Sequence, residues 1–249
     1  TSTLLGKGGF PETHPLSVGF LGMHGTAYAN KAVTNCDLIF SIGSRWDDRI
    51  TPAKIEEFCP GAIKLHIDID PAEINKIVTP DESVVGDAKL VLEELYKHIE
   101  PMDTKPWLKT VEGFKKKFPL KYKMHGGLKG QYVIDQLYKL TKGNAIVTTD
   151  VGQHQMWASQ FYNFDKPDRW LSSGGAGTMG YGFPAAIGAQ LADPKACVVA
   201  VVGDGGFQMT MCELATAAIH KLPLKILILD NKYLGMVRQW QELFYDDRL

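Results

Sequence analysis

No run of this sequence approaches the roughly 18 apolar residues that a membrane-spanning helix needs. Neither sign of charge is in excess: 27 Lys and Arg against 28 Asp and Glu leave a formal net charge of −1. A basic footprint for nucleic acid is therefore missing, and so is an acidic tail. Cysteine is scarce, and Cys36, Cys59, Cys197 and Cys212 form no C-x-x-C pair and no metal-ligand spacing. Cys36, Cys197 and Cys212 lie in apolar segments, which predicts reduced core thiols and a reducing compartment. Internal repeats and low-complexity tracts are lacking, and the sequence starts at Thr1 without Met and without a targeting segment of its own. The chain stops directly after the helical pattern of Met236–Tyr245. Both ends read as cut, and the expectation is a piece of a longer polypeptide.

What is present is a globular composition, 45% hydrophobic and 22% charged over 249 residues, enough for two ordinary domains. The most informative stretch runs from Cys197 to Tyr233. Residues 197–202 (CVVAVV) read as a buried strand ending in the turn Gly203-Asp204-Gly205-Gly206. Met211 to Lys221 has helical spacing of Leu214, Ala215, Ala218 and Ile219, and Leu224–Leu229 is a second apolar strand. Strand, helix and strand make a parallel crossover, so both strands finish on one edge of the sheet, where open α/β sheets bind ligands. Asp204 and Asn231, 27 positions apart, are thereby expected in one place. A carboxylate and an amide carbonyl suit Mg²⁺, which takes few protein ligands and completes its octahedron with phosphate oxygens and water. Gly205 and Gly206 offer backbone N–H groups that approach a diphosphate closely.

The same unit is expected to begin near Gln131, with a helix at Tyr132–Leu140 and a strand at Ala145–Thr149. The turn Val151-Gly152-Gln153-His154 follows on the same edge. After a short strand, Trp170–Ser173, comes a loop with five glycines between Gly174 and Gly182. Its glycines let the backbone approach a flat ligand, and Met179 offers an adaptable apolar surface. Pro184 then opens a helix, Ala185–Leu191. Residues 1–100 have their own alternation: strands at Asp37–Ile42 and Ile63–Ile69, and a helix at Ala72–Ile77 capped by Asp70 and opened by Pro71. An edge strand at Val84-Val85 and a helix at Ala88–Ile99 follow. Residues 101–130, punctuated by Pro101, Pro106 and Pro119, read as a connector in which Lys115–Lys117 make a solvated helix face. The predicted fold is α/β: two parallel-sheet, three-layer (αβα) domains, 1–100 and 131–249. In the first, Arg45 follows a strand-end glycine, Gly43, where a guanidinium reaches phosphate or ribose. Asp68 closes the next strand, the usual place for a ribose-binding acid.

The 197–233 stretch resembles the diphosphate-binding domain of thiamin diphosphate (ThDP) enzymes, whose signature is GDG followed by Asn at this distance. The resemblance implies that Asp204, the Asn231 side chain and the Tyr233 main-chain carbonyl hold Mg²⁺. It also implies that Val151, Gly152, Gln153 and His154 grip the diphosphate, and that the Gly177 carbonyl and the Met179 N–H bind the aminopyrimidine ring. Asp230 stands where the family often has Asn.

Four further segments narrow the family. Gly22-Met23-His24-Gly25, Gly43–Arg49 and His66–Pro71 resemble the middle domain of acetohydroxyacid (acetolactate) synthases, and Gly235–Trp240 matches their second-substrate segment. This likeness spans the chain and implies FAD, contacted by Met23, His24, Gly43, Arg45, Asp47, Asp68 and Asp87, with Trp46 where Phe is common. It implies that Arg49 holds the carboxylate of the incoming 2-oxo acid and that Met236, Val237 and Trp240 shape its pocket. The activity implied is decarboxylation of pyruvate and transfer of the two-carbon unit to pyruvate or 2-oxobutyrate, on the way to valine, leucine and isoleucine. A homodimer or homotetramer with an active site shared between subunits is implied too, with a small regulatory subunit. The compartment implied is the cytoplasm, or a plastid or mitochondrion in a eukaryote. The family's glutamate, which touches the pyrimidine ring, has no counterpart here, so this chain alone is expected to be inactive. Two rivals are another ThDP-dependent 2-oxo acid decarboxylase or carboligase, and a non-catalytic ThDP/FAD-binding relative. Arg49 and Trp240 argue against the first, and the intact metal residues against the second.

Overall fold

Two compact units make up the chain in the computed structural model, which describes residues 1–248. Val18–Lys121 form the first; Ser2–Ser17 and the residues from Tyr122 onward form the second. In the first unit Thr26 caps the helix Ala27–Thr34 (α1) by accepting the Ala29 N–H. Strands Leu38–Ile42 (β1), Ile63–Asp68 (β2) and Glu82–Val85 (β3) lie in that order, all parallel. Ile42 pairs with Ile67 and Asp68 with Val85, so the residues following the three strands share one edge. Gly43 donates to the Ile67 carbonyl (2.8 Å) and Gly86 to the Asp68 carbonyl (2.9 Å) there. Trp46, Phe58, Cys59, Ala62 and Val78 form this unit's core.

Two segments of this unit depart from expectation. Asp70 does accept the Ala72 N–H at 2.9 Å, but only the 3₁₀ turn Pro71–Glu73 forms. Ile74 is extended and Asn75 left-handed (φ +61), because six residues with two β-branched isoleucines do not repay helix nucleation. After Ala88–Leu95 (α2), the expected connector contains a 13-residue helix, Lys105–Lys117 (α3), which packs against α1. Pro106 sits in its first turn, where no N–H is needed, and Lys115, Lys116 and Lys117 complement the dipole of its last turn.

The second unit runs Gly130–Thr141 (α4), Ile146–Thr149 (β4), Gln153–Phe161 (α5), Trp170–Ser172 (β5) and Gly182–Ala192 (α6). It continues with Val198–Gly203 (β6), Asp204–Thr210 (α7), Leu214–Ile219 (α8), Lys225–Leu229 (β7) and Gly235–Phe244 (α9). The parallel sheet has the order β5-β4-β6-β7. Val199 and Val201 of β6 join Ile134, Val147, Ala158 and Tyr162 in one core. Val198, Ala200 and Val202 pack with Ile146 and Ala186 in another. A strand apolar on both faces belongs between two helical layers, which is the αβα sandwich of the prediction. From β4 the chain moves outward to β5, and from β6 it moves the opposite way to β7. The topological switch point therefore lies between β4 and β6.

Residues 2–17 pack on this second unit rather than with the residues that follow them. Glu12 accepts the Phe164 N–H through its carboxylate (2.7 Å), and the Asp165 carboxylate takes both the Thr13 N–H (2.9 Å) and hydroxyl (2.7 Å). Lys7, almost wholly buried, pairs with Glu12, and burial lowers its pKa. The expected helix at 211–221 is divided: α7 starts at Asp204 itself, a 3₁₀ turn covers Met211–Glu213, and α8 follows. The break falls at Thr210, which leaves helical geometry (φ −131, ψ 18) with its hydroxyl bonded to the Gly180 carbonyl. Two of the expected core thiols, Cys197 and Cys212, are exposed instead. All four cysteines are free.

Candidate functional site

Gly203 of β6 pairs with Leu229 of β7, so Asp204, one residue beyond, and Asn231, two beyond, reach the same edge. A cavity of about 110 Å³ opens there. Val151, Gly152, Gln153 and His154 line it from the end of β4, Met179 from the glycine loop, and Asp204, Gly205 and Gly206 from the start of α7. Asn231, Tyr233, Met236 and Val237 close it from beyond β7. Gly177 and Trp240 are not in the lining. Trp157 and Leu234, which the sequence did not single out, are, and so is Gly235, the first residue of the second-substrate segment.

The geometry explains several residue choices. Asn231 donates to the Gln153 amide oxygen at 3.1 Å, and a Cβ at Gly235 would stand 2.2 Å from that oxygen, so only glycine leaves the pair in place. Gly177 (φ +70) and Gly180 (φ +86) put Met179 in a turn that L side chains resist. The Met179 methyl lies 3.6 Å from where a Cβ at Gly205 would be. His154 packs its ring against Gly152 and Gly203, its Nε2 is buried without a partner, and burial lowers its pKa to about 4. The ring is therefore neutral at physiological pH. Asp150, at the base of the site, is fully buried, which raises its pKa against the opposing pull of the Gly182 and Gly180 N–H groups.

The donor set suits a hard cation. Among the described residues no cluster of three or more His, Cys, Asp or Glu could hold a metal. The cavity instead presents one carboxylate, Asp204, beside an amide, Asn231, whose oxygen accepts the Tyr233 N–H at 3.1 Å. Asp230 is held by Lys232, whose pKa is raised first by Asp230 and then by the charge of Asp204. One carboxylate, one amide oxygen and a main-chain carbonyl leave room for phosphate oxygens on Mg²⁺. The orphaned His154 Nε2 and the first-turn amides of α7 add groups that a diphosphate would satisfy. The residues present fit ThDP and Mg²⁺.

On helix α9, Trp240 is 42% exposed with its ring 4.9 Å from Phe244. Arg238 lies over the Tyr233 ring at 4.0 Å and bonds Glu242 at 2.6 Å. In the first unit, Met23 donates to the Arg49 carbonyl at 2.7 Å, bringing Met23 and His24 beside the Asp47–Arg49 segment. Burial, then the Arg49 charge, lowers the His24 pKa. Asp47 binds Arg45 Nε at 3.0 Å and the Arg49 N–H at 3.1 Å, while the Arg49 side chain, 65% exposed, lies 3.9 Å from the Asp48 carboxylate. Asp68 accepts the Asp70 N–H at 3.0 Å, and Asp87 caps α2 through the Leu90 N–H at 3.1 Å. Trp46 is not at the edge: it is 3% exposed and stacks on His66 at 4.5 Å.

A parallel sheet with glycine-rich turns at its carboxyl edge, where Asp204 and Asn231 meet, is the ligand-binding arrangement of an open α/β protein. The chain belongs to the thiamine pyrophosphate enzymes: residues 150–249 match their C-terminal TPP binding domain and residues 1–95 their central domain. Within that family it is similar to acetolactate synthases. It is 48% identical to the acetolactate synthase isozyme 3 large subunit of Escherichia coli (strain K12) over 99% of this chain and 44% of that protein. It is 51% identical to the chloroplastic acetolactate synthase of Arabidopsis thaliana over 98% of this chain and 37% of that protein. The large subunit from Cyanidium caldarium is 47% identical over 100% of this chain and 43% of its own length. The chain thus spans less than half the length of these curated relatives.

Proposed function

We propose that the switch-point cavity holds ThDP through Mg²⁺ and that the full-length protein is an acetolactate synthase. It would decarboxylate pyruvate and pass the two-carbon unit to pyruvate or 2-oxobutyrate, the first common step of valine, leucine and isoleucine biosynthesis. The observation that carries this reading is the meeting of Asp204 and Asn231 beside Gln153 and His154 in one cavity. Similarity to acetolactate synthases over nearly the whole chain supports it.

ThDP, when bound, supplies the carbanion chemistry, and the protein binds and orients it. In this proposal Asp204, the Asn231 amide oxygen and the Tyr233 carbonyl take the metal. Gly205 and Gly206 offer N–H groups to the diphosphate, with Val151 and Gly152 giving close approach and Gln153 and His154 as the assigned donors. Met179 would support the ring, with its N–H and the Gly177 carbonyl as polar contacts. Met236, Val237 and Trp240 wall the second 2-oxo acid, and Arg49 takes a carboxylate with its planar fork. FAD is assigned to the first unit, with Arg45 and Asp68 for its phosphate and ribose and Met23, His24, Gly43, Asp47 and Asp87 as further contacts.

A cavity of about 110 Å³ is smaller than the roughly 300–1,000 Å³ of a complete small-molecule pocket. Asp204 is its one lining carboxylate among the described residues, and no glutamate is present. These facts support a site completed by another part of the enzyme, in a homodimer or homotetramer. They also support inactivity of these 249 residues by themselves. The words "large subunit" in the relatives' names support a smaller regulatory companion. Among the described residues no helix is long and apolar enough to cross a membrane. The proposed location is the cytoplasm, or a plastid or mitochondrion in a eukaryote. The test is a product assay of the full-length protein with ThDP, Mg²⁺ and pyruvate, with and without 2-oxobutyrate. Acetolactate and acetohydroxybutyrate are expected; acetaldehyde alone would favour a simple decarboxylase.

A further inference from the structure

We infer that Asp150, Thr148 and Thr210 form a clamp that fixes the height of Met179, making them positioning residues for the ring end of the cofactor. The inference rests on the cofactor reading above. None of the three lines the cavity. Each instead grips the backbone just after Met179. Asp150 Oδ1 accepts the Gly182 N–H at 2.7 Å, and the Thr148 hydroxyl donates to the Gly182 carbonyl at 2.7 Å. The Thr210 hydroxyl donates to the Gly180 carbonyl at 3.1 Å. The fit is close: a Cβ at Gly182 would stand 2.6 Å from the Asp150 nitrogen, and one at Gly180 would stand 3.2 Å from the Thr210 methyl.

The clamp also ties the ring end to the metal end. Asp204 opens α7 and Thr210 ends it, so one rigid helix of 7 residues carries a proposed metal ligand at one end and the Gly180 tether at the other. Asp150 Oδ2 lies against Gly206 in the first turn, 2.1 Å from where a Cβ would be. On the other side of Met179, Ser173 accepts the Gly177 N–H through its carbonyl (2.9 Å) and the Thr178 N–H through its hydroxyl (3.0 Å). Met179 is therefore held on both flanks, and its distance from Asp204 is set by β4 and α7 rather than by the loop.

The test is calorimetric titration of the full-length protein, in saturating Mg²⁺, with ThDP and separately with inorganic pyrophosphate. Thr210→Val removes one hydrogen bond at nearly constant shape. It is expected to weaken ThDP about 3- to 10-fold while pyrophosphate affinity stays within about twofold. Thr210→Ser, which keeps the hydroxyl, should restore ThDP binding. Asp150→Asn keeps the Oδ1 acceptor and should bind ThDP nearly as the unmodified protein does; Asp150→Ala should lose more than Thr210→Val. Equal weakening of both ligands, or none, overturns the clamp. Should Thr210→Val fail to fold, Thr148→Val, which frees the Gly182 carbonyl, carries the same comparison. An unmodified protein that binds neither ligand would instead overturn the cofactor assignment itself.

Discussion

The Asn231 amide bridges two polar partners: its Nδ2 donates to Gln153 Oε1 at 3.1 Å across 78 positions of sequence, and its Oδ1 accepts the Tyr233 N–H at 3.1 Å. Both contacts fix the amide plane. A second lone pair on Oδ1 is left for a cation, next to the Asp204 carboxylate in the same cavity.

Asp204→Ala is expected to abolish Mg²⁺-dependent ThDP binding. Removing one member of a charge pair costs about 3–5 kcal/mol, or roughly 100-fold and more in affinity. Asn231→Ala removes a neutral ligand and should cost on the order of 10-fold. Calorimetry with and without Mg²⁺ measures both, and unchanged affinity in Asp204→Ala would sink the metal assignment.

His154 gives the protein an acid-labile element. Burial holds its folded pKa near 4, below the ordinary 6.5, so between those values the unfolded chain binds the additional proton. Its contribution is whole above pH 6.5 and is lost as pH falls toward 4, at most about 3 kcal/mol. Melting temperature against pH from 4 to 7.5 should fall less steeply in His154→Gln. Identical slopes would mean that the imidazole is not titrating in that window.

Gly182→Ala should destabilise the second unit by about 1–3 kcal/mol, since the added methyl would lie 2.6 Å from the Asp150 nitrogen and 2.8 Å from the Thr149 carbonyl carbon. Backbone atoms cannot swing aside as a side chain does. For a unit of this size a drop in melting temperature of about 3–10 °C follows. An unaltered melting temperature would show that the loop and β4 are not tightly apposed.

Trp240→Leu in the full-length protein should flatten the preference between 2-oxobutyrate and pyruvate while acetolactate formation persists. One methylene in an apolar pocket is worth about 1–3 kcal/mol, roughly 10–200-fold. Arg49→Lys should instead depress the use of both acceptors, because a point charge does not reproduce a bidentate fork. A competition assay scored by product ratio separates the two; a constant ratio in Trp240→Leu assigns that ring to helix packing with Phe244.

Much of this was legible in the residues. The apolar runs around Leu38, Val147, Val199 and Ile226 became strands because a run apolar on both faces has no other way to bury itself in so few residues, and the stretch from Ile63 to Asp68 did so through the strand period of alternating apolar and polar residues. The spacing from Asp204 to Asn231 foretold their meeting, since a crossover of that length returns the chain parallel to itself. Local pattern failed where neighbours decided. Ala72–Ile77 looked like a helix and lacked the length to nucleate one, whereas the proline-marked segment after residue 100 holds α3, which α1 supports by packing.

Long-range placement belonged to the tertiary structure alone. Nothing in residues 2–17 announces that they pack against Phe164 and Asp165. Thr210 reads as an ordinary helix residue until its hydroxyl is seen on the Gly180 carbonyl, and Gly235 as flexible until the Gln153 oxygen is seen to fill the space of its Cβ. The strand order β5-β4-β6-β7, which opens the cavity between β4 and β6, follows from which edge each crossover adds to. Sequence periodicity reports how a residue faces its own element; which elements become neighbours depends on how their buried faces fit together in three dimensions.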